Sequence, residues 1–130
     1  MLGEIALPDD GVSDLSWAGD HFWVGNHRGK HLSKVDATTG EVLGTIESDC
    51  HVCGVTFSAG ELWHCAWTTR TPSPTGWAEL RRVDPTSGAV LDRLRFPDWI
   101  AGIEADRRGR LWCATDSSRK LLVVRHPGAR

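Results

Sequence analysis

Cys50-His51-Val52-Cys53 is the stretch of this chain where reactive side chains crowd most closely. Two thiols two residues apart can bind a soft metal, close a redox disulfide, or supply a nucleophile whose proton a nearby imidazole takes. His51 and His64 are the bases at hand, so Cys50, His51, Cys53 and His64 form the candidate catalytic set. A structural zinc site generally wants four ligands; a single C-x-x-C does not supply them, even with His64 and Cys65 nearby, and no metal is assigned. Packing is the competing reading, because a free cysteine also serves as a small buried hydrophobe.

A second group of residues suits recognition. Trp67, Trp77 and Trp99 offer flat apolar walls, while Asn26, His27 and Arg28 are consecutive polar side chains able to orient a ligand. Glu104 stands in an otherwise apolar stretch, Ile100-Ala101-Gly102-Ile103-Glu104-Ala105, where a carboxylate needs water, a cation or a metal as partner.

These residues must be positioned by a repeat. Val35-Asp36-Ala37-Thr38-Thr39-Gly40-Glu41-Val42-Leu43 returns 48 positions later as Val83-Asp84-Pro85-Thr86-Ser87-Gly88-Ala89-Val90-Leu91. An apolar residue, an Asp, turn formers and a Gly joining two apolar runs is the signature of a β-hairpin: the Asp side chain bonds nearby backbone and the Gly takes the left-handed conformation. Upstream lies a Gly turn ending in Trp, found three times at Trp23, Trp63 and Trp112. Trp23 to Val35 and Trp112 to Val124 each span 12 positions, whereas Trp63 to Val83 spans 20, so the middle copy carries an 8-residue insertion within Thr68 to Trp77. Periods of about 40 to 50 residues built from short strands indicate propeller blades.

The chain therefore reads as all-β, with blades over approximately 9–49, 50–97 and 98–130. Strands are expected at Val12 to Trp17, Phe22 to Asn26, His31 to Asp36 and Glu41 to Glu47, then at Val52 to Phe57, Leu62 to Ala66, Ala78 to Asp84 and Ala89 to Phe96. The third blade supplies only Ile100 to Ala105, Leu111 to Thr115 and Lys120 to Arg125. A surplus strand within residues 1–8 aligns with the last strand of the other blades. Three blades do not close a ring, since propellers run from about 4 to 8. The reading is a homodimer forming a six-bladed propeller, in which each N-terminal strand completes the third blade of the partner.

Recurring Trp23, Trp63 and Trp112 are expected to pack between blades, with Trp17 in the core; Cys53, Cys65 and Cys113 align with Ser13, Gly25 and Val24. The candidate residues instead fall on loops at one end of the strands, around a channel mouth, where ligands bind on a rigid frame.

Leu62-Trp63 with Val83-Asp84-Pro85-Thr86-Ser87-Gly88, and weaker copies on either side, resembles the blades of streptogramin-lyase, gluconolactonase and quinoprotein-repeat propellers. The resemblance implies architecture over nearly the whole chain, but such blades serve lyases, lactone hydrolases, cyclotransferases and binding scaffolds alike. It also implies that an inner Glu, here Glu104, can help hold a divalent metal, with Asn26 and Asp116 as the available companions; the alternative is a solvated carboxylate in a wet channel.

Composition narrows the classes. A net charge of -2 with scattered Lys and Arg lacks the basic face that nucleic-acid binding requires. No apolar run approaches the ~20 residues of a membrane span. Glu4 stands where a secretory signal would place a base, so a cytoplasmic location is expected. Two functions follow: a small-molecule hydrolase or lyase using Cys and His at the mouth, or a noncatalytic propeller scaffold that binds a ligand or protein there. No cofactor is named by any motif.

Overall fold

The computed structural model describes residues 2–7 and 9–125. Eleven strands form three antiparallel meanders, and among the described residues there is no helix. The first sheet joins β1 (Val12–Trp17), β2 (His21–Asn26), β3 (His31–Asp36) and β4 (Val42–Glu47) in that order. The second joins β5 (His51–Ser58), β6 (Glu61–Trp67), β7 (Ala78–Val83) and β8 (Val90–Phe96). The third has three strands, β9 (Ile100–Ala105), β10 (Arg110–Thr115) and β11 (Leu121–Arg125). These are propeller blades.

The repeated hairpin is built as its residues dictate. Asp36 Oδ1 accepts the N–H groups of Thr38 and Thr39, both at 2.8 Å, and Asp84 Oδ1 accepts those of Thr86 and Ser87 at the same distance. These bonds hold both carboxyls below the usual carboxylate range. Gly40 and Gly88 then take φ of 77° and 78°, where a side chain would strain the turn.

Blades are fastened through their innermost strands. Ser13 Oγ donates to the Val52 carbonyl, Asp14 Oδ2 accepts from Val55 N–H, and Ser16 Oγ accepts from Phe57 N–H, all from β1 to β5. Thr56 Oγ1 accepts from Ala105 N–H in the same way, from β5 to β9. Behind these seams lie two cores. Trp23, Leu32, Ile46, Val52, Val55, Leu62 and Val83 fill the space between the first and second blades. Cys53, Trp63, Cys65, Leu80, Ile103 and Leu111, with others, fill that between the second and third.

Three expectations change. Residues 2–7 carry no strand assignment; the segment lies over the first blade, with Ile5 against Gly40. Within one chain Trp17 and Trp112 are exposed, where core and inter-blade packing was expected, because each lies on a blade face that has no neighbour within the chain; their packing against a second copy is untouched by this. Among the described residues no helix is long and apolar enough to cross a membrane.

Candidate functional site at the blade mouth

The loops at one end of the blades converge as expected, but they bring together a different subset of residues. β1 and β5 are irregular at this end, between Val12 and Asp14 and between Val52 and Val55. A bulge re-aims side chains. Here Cys53 falls within the irregular step of β5, and its Sγ lies 3.2 Å from His27 Nδ1, on the loop after β2.

His27 is held from several sides. Its Nε2 lies 2.7 Å from the carbonyl of Arg70, in the inserted loop, so that nitrogen carries the proton and donates. Nδ1 lies 3.2 Å from both the Val52 carbonyl, which can only accept, and Cys53 Sγ, so the carbonyl and the thiol compete for opposite roles of that nitrogen. His51 Nδ1–H donates to the His27 carbonyl at 2.7 Å. The insertion closes on itself, with Thr68 N–H donating to the Trp77 carbonyl and Trp77 N–H to Thr68 Oγ1. The 8-residue insertion is therefore a compact loop pinned to the first blade through His27.

Around this imidazole runs a row of rings. His27 and His51 have centroids 5.0 Å apart, His27 and Trp67 5.3 Å, and Trp67 and Trp99 5.0 Å, the last two pairs edge to face. Trp67 Nε1–H donates to the Ile100 carbonyl at 2.8 Å, and the Trp99 carbonyl accepts Asp116 N–H at 2.8 Å. The row thus spans all three blades on a braced backbone. Trp77 stands apart from it: the Arg95 guanidinium lies 4.1 Å over its ring, on the outer strand β8.

The thiols are poor nucleophiles here. All four cysteines are buried and free. Burial raises the Cys53 thiol far above its ordinary range, helped by the charge of Asp116, and also raises Cys50 and Cys65. Cys113 is pushed up to about 11 by burial. The base chosen from sequence also differs. His64 is fully buried, its Nδ1 lies 3.3 Å from the Cys65 carbonyl, and burial drops its pKa to about 4, so it is a neutral packing residue. His51 bonds the His27 backbone, and His27 is the imidazole that meets Cys53.

Asn26 is likewise buried and structural, with Nδ2–H donating to the Asp10 carbonyl and Oδ1 accepting Gly29 N–H. Arg28 is exposed and lies 3.5 Å from Asp10. Glu104 is exposed, and its Oε1 accepts the Thr56 hydroxyl at 2.9 Å. Among the described residues no cluster of His, Cys, Asp and Glu could hold a metal ion; Glu104, Asn26 and Asp116 do not form one.

Sequence reasoning missed a charged cluster beside the site. Arg81 is buried and donates to Glu79 Oε1 at 2.6 Å, to Asp49 at 2.5 Å and to Cys50 Sγ at 3.4 Å. Burial alone would lower its pKa, but the two carboxylates outweigh it and raise it; Arg81 in turn depresses Asp49. The signal was present in Glu79 and Arg81, opposite charges two apart in a strand and so on one face.

The chain matches no protein-family model and no curated protein. Its backbone does match solved structures. Kuenenia stuttgartiensis hydrazine synthase aligns with a TM-score of 0.71 at 16% identity, over 96% of this chain and 36% of that one. The β-propeller domain of Myceliophteria thermophila Cps50 (Swd1) aligns at 0.61 and 13% identity, over 91% and 40% respectively. The computationally designed Ika4 protein aligns at 0.52 and 12% identity, over 97% and 99%. This chain thus spans well under half the length of the first two. At these identities the likeness concerns the fold alone, and the fold to which the chain belongs is the β-propeller.

Proposed function

We propose that the chain is a ligand-binding propeller, working as a six-bladed homodimer in the cytoplasm, that receives a small planar molecule at its mouth. One observation carries this reading: His51, His27, Trp67 and Trp99 form a continuous row of rings braced by backbone hydrogen bonds. Ring stacking and edge contacts suit a flat apolar or heteroaromatic ligand, and the imidazoles and carbonyls supply orientation. The raised thiols favour binding over turnover.

Titration with indole and quinoline as probes, read by tryptophan fluorescence, tests it. Trp99→Ala should weaken binding about tenfold while the protein stays folded. Equal affinity in parent and variant would remove the row as the site.

A second reading, a thiol hydrolase, is favoured by one contact: Cys53 Sγ lies 3.2 Å from His27 Nδ1, and the Arg70 carbonyl orients that ring from its other side. Burst release of p-nitrophenol from its acetate ester, lost in Cys53→Ser, would establish that reading. Absence of a burst in the folded parent supports simple binding.

A further inference from the structure

Residues 2–7 have a defined place in the fold although no strand in the chain pairs with them. Ile46, on the outer strand β4, packs over Gly88 at the hairpin of the second blade. Ile5, which aligns with Ile46, packs over Gly40, the equivalent glycine of the first blade. The segment therefore sits beside the first blade as β4 sits beside the second, in the position of a fourth strand whose own sheet is missing.

That sheet is present elsewhere in the same chain. Among the described residues the blade of β9, β10 and β11 has three strands, and the outer edge of β11 has no partner. Its open face carries Trp112, 37% exposed, and Leu121, 71% exposed, where the equivalent Trp23 and Leu32 are 3% and 0% exposed beneath the second blade. The facing side of the first blade carries Leu15, 54% exposed, where its equivalent Val55 is 2% exposed. Each open surface is the complement that the other needs, so two copies related by a twofold axis satisfy both at once.

We infer that Leu2–Leu7 adds to β11 of a second copy in a fixed register, with Ile5 opposite the partner's Leu121 and Gly3 opposite the partner's Val123. This deepens the homodimeric reading above and rests on it. The register follows from the first blade, where Leu32 pairs with Ile46 and Lys34 with Gly44. Leu32 and Leu121 are equivalent because Phe22 pairs with Val35 as Leu111 pairs with Val124.

The inner strands supply a second rung of the seam. Ser16 Oγ accepts Phe57 N–H at 2.8 Å, and Thr56 Oγ1 accepts Ala105 N–H at 3.3 Å. Glu104 is the third residue of this series, and Trp17 is the equivalent of Phe57 and Ala105. Glu104 Oε1 is taken by the Thr56 hydroxyl and Ala105 N–H of its own chain, which leaves Oε2 to accept the backbone N–H of the partner's Trp17. Its carboxylate is a seam acceptor at the joint between copies, a role distinct from the metal-holding one that resemblance suggested.

Disulfide trapping tests the register, because the four native thiols are buried. Gly3→Cys with Val123→Cys should give a covalent dimer under mild oxidation, whereas Gly3→Cys with Leu122→Cys, one step away and on the other face, should not. Sedimentation of the parent should give twice 14.3 kDa. Glu104→Leu should raise the dimer dissociation constant about tenfold, and Glu104→Gln should leave it within a factor of about two, since an amide oxygen still accepts. A folded parent that is monomeric at micromolar concentration would overturn the dimer reading and the seam together. A dimeric parent that cross-links only at Leu122, or at neither position, would overturn the register and leave the dimer standing.

Discussion

The two interfaces inside the chain have the same architecture and opposite chemistry. Between the first and second blades, a core of Trp23 and aliphatic side chains borders the buried Arg81 and Glu79, the exposed Asp49 that Arg81 also bonds, and the neutral His64. Between the second and third, Trp63, Trp67, Leu80, Ile103 and three cysteines pack together, and the ion group on the Trp63 face, Arg82 with Asp92 and Glu61, is only partly buried. Equivalent positions make the contrast plain: Arg81 and His64 occupy places taken in the third blade by Leu122 and Cys113. A blade face needs filled volume and satisfied polar atoms, and either an ion cluster or apolar bulk can meet that need.

The largest effect expected is on the apolar interface. Trp63→Ala should cost about 3 to 5 kcal/mol in urea unfolding, as a buried aromatic truncation, with little dependence on salt or pH. A loss below about 1 kcal/mol would mean that the second interface does not rest on this ring.

The ionic interface should respond differently. Arg81→Met should cost about 3 kcal/mol by leaving buried Glu79 with only the exposed Arg93, 3.6 Å away, and adding Glu79→Leu should recover most of the loss, because removing both partners of a buried pair is far milder than removing one. If the double variant is no better than the single, the cluster is held by something other than its mutual pairing.

Acid sharpens the comparison. His64 has a folded pKa of about 4 against an ordinary 6.5, so the unfolded chain takes up a proton first as pH falls. Stability from this group is full above the unfolded value, declines as pH drops through that window, and is lost at about pH 4, amounting to about 3 kcal/mol. Asp49, depressed by Arg81, acts in the same direction below the ordinary carboxylate range. His64→Val, the first-blade residue at that position, should flatten the acid limb between pH 6.5 and 4, as followed by thermal melts; an unchanged slope would assign it to other groups.

Trp77→Ala should have the smallest effect. The ring is exposed beneath Arg95, and exposed cation–π pairs are worth about 0.5 to 1 kcal/mol. Any loss of probe binding in this variant would return Trp77 to the site from which its position separates it.

The fold was legible because its signals are local. Asp36 and Asp84 bond backbone two and three residues on, Gly40 and Gly88 need a left-handed turn, and strand ends fall within about one residue of where these signals put them. The mouth was legible as a set of loops, and Trp67 with Trp99 as part of its wall. Partner choice was not legible. Cys53 meets His27 instead of His51 or His64 because an irregular step in β5 and the twist of one blade against the next decide the match, and neither leaves a periodic trace. The anchoring of Arg70 by its carbonyl was hidden for a simpler reason: backbone atoms have no letter in a sequence.

Every sheet ladder here joins strands that are neighbours in the chain. Closing such short connections costs little loop entropy, so each meander can assemble as a local unit, before the blades dock, at a pace set by nearby contacts. Protection from hydrogen exchange should then fall into blade-sized steps. The blade of β9 to β11, with one strand fewer and an unpaired edge, should open first, and its amides should slow selectively as protein concentration rises and a second copy covers that edge.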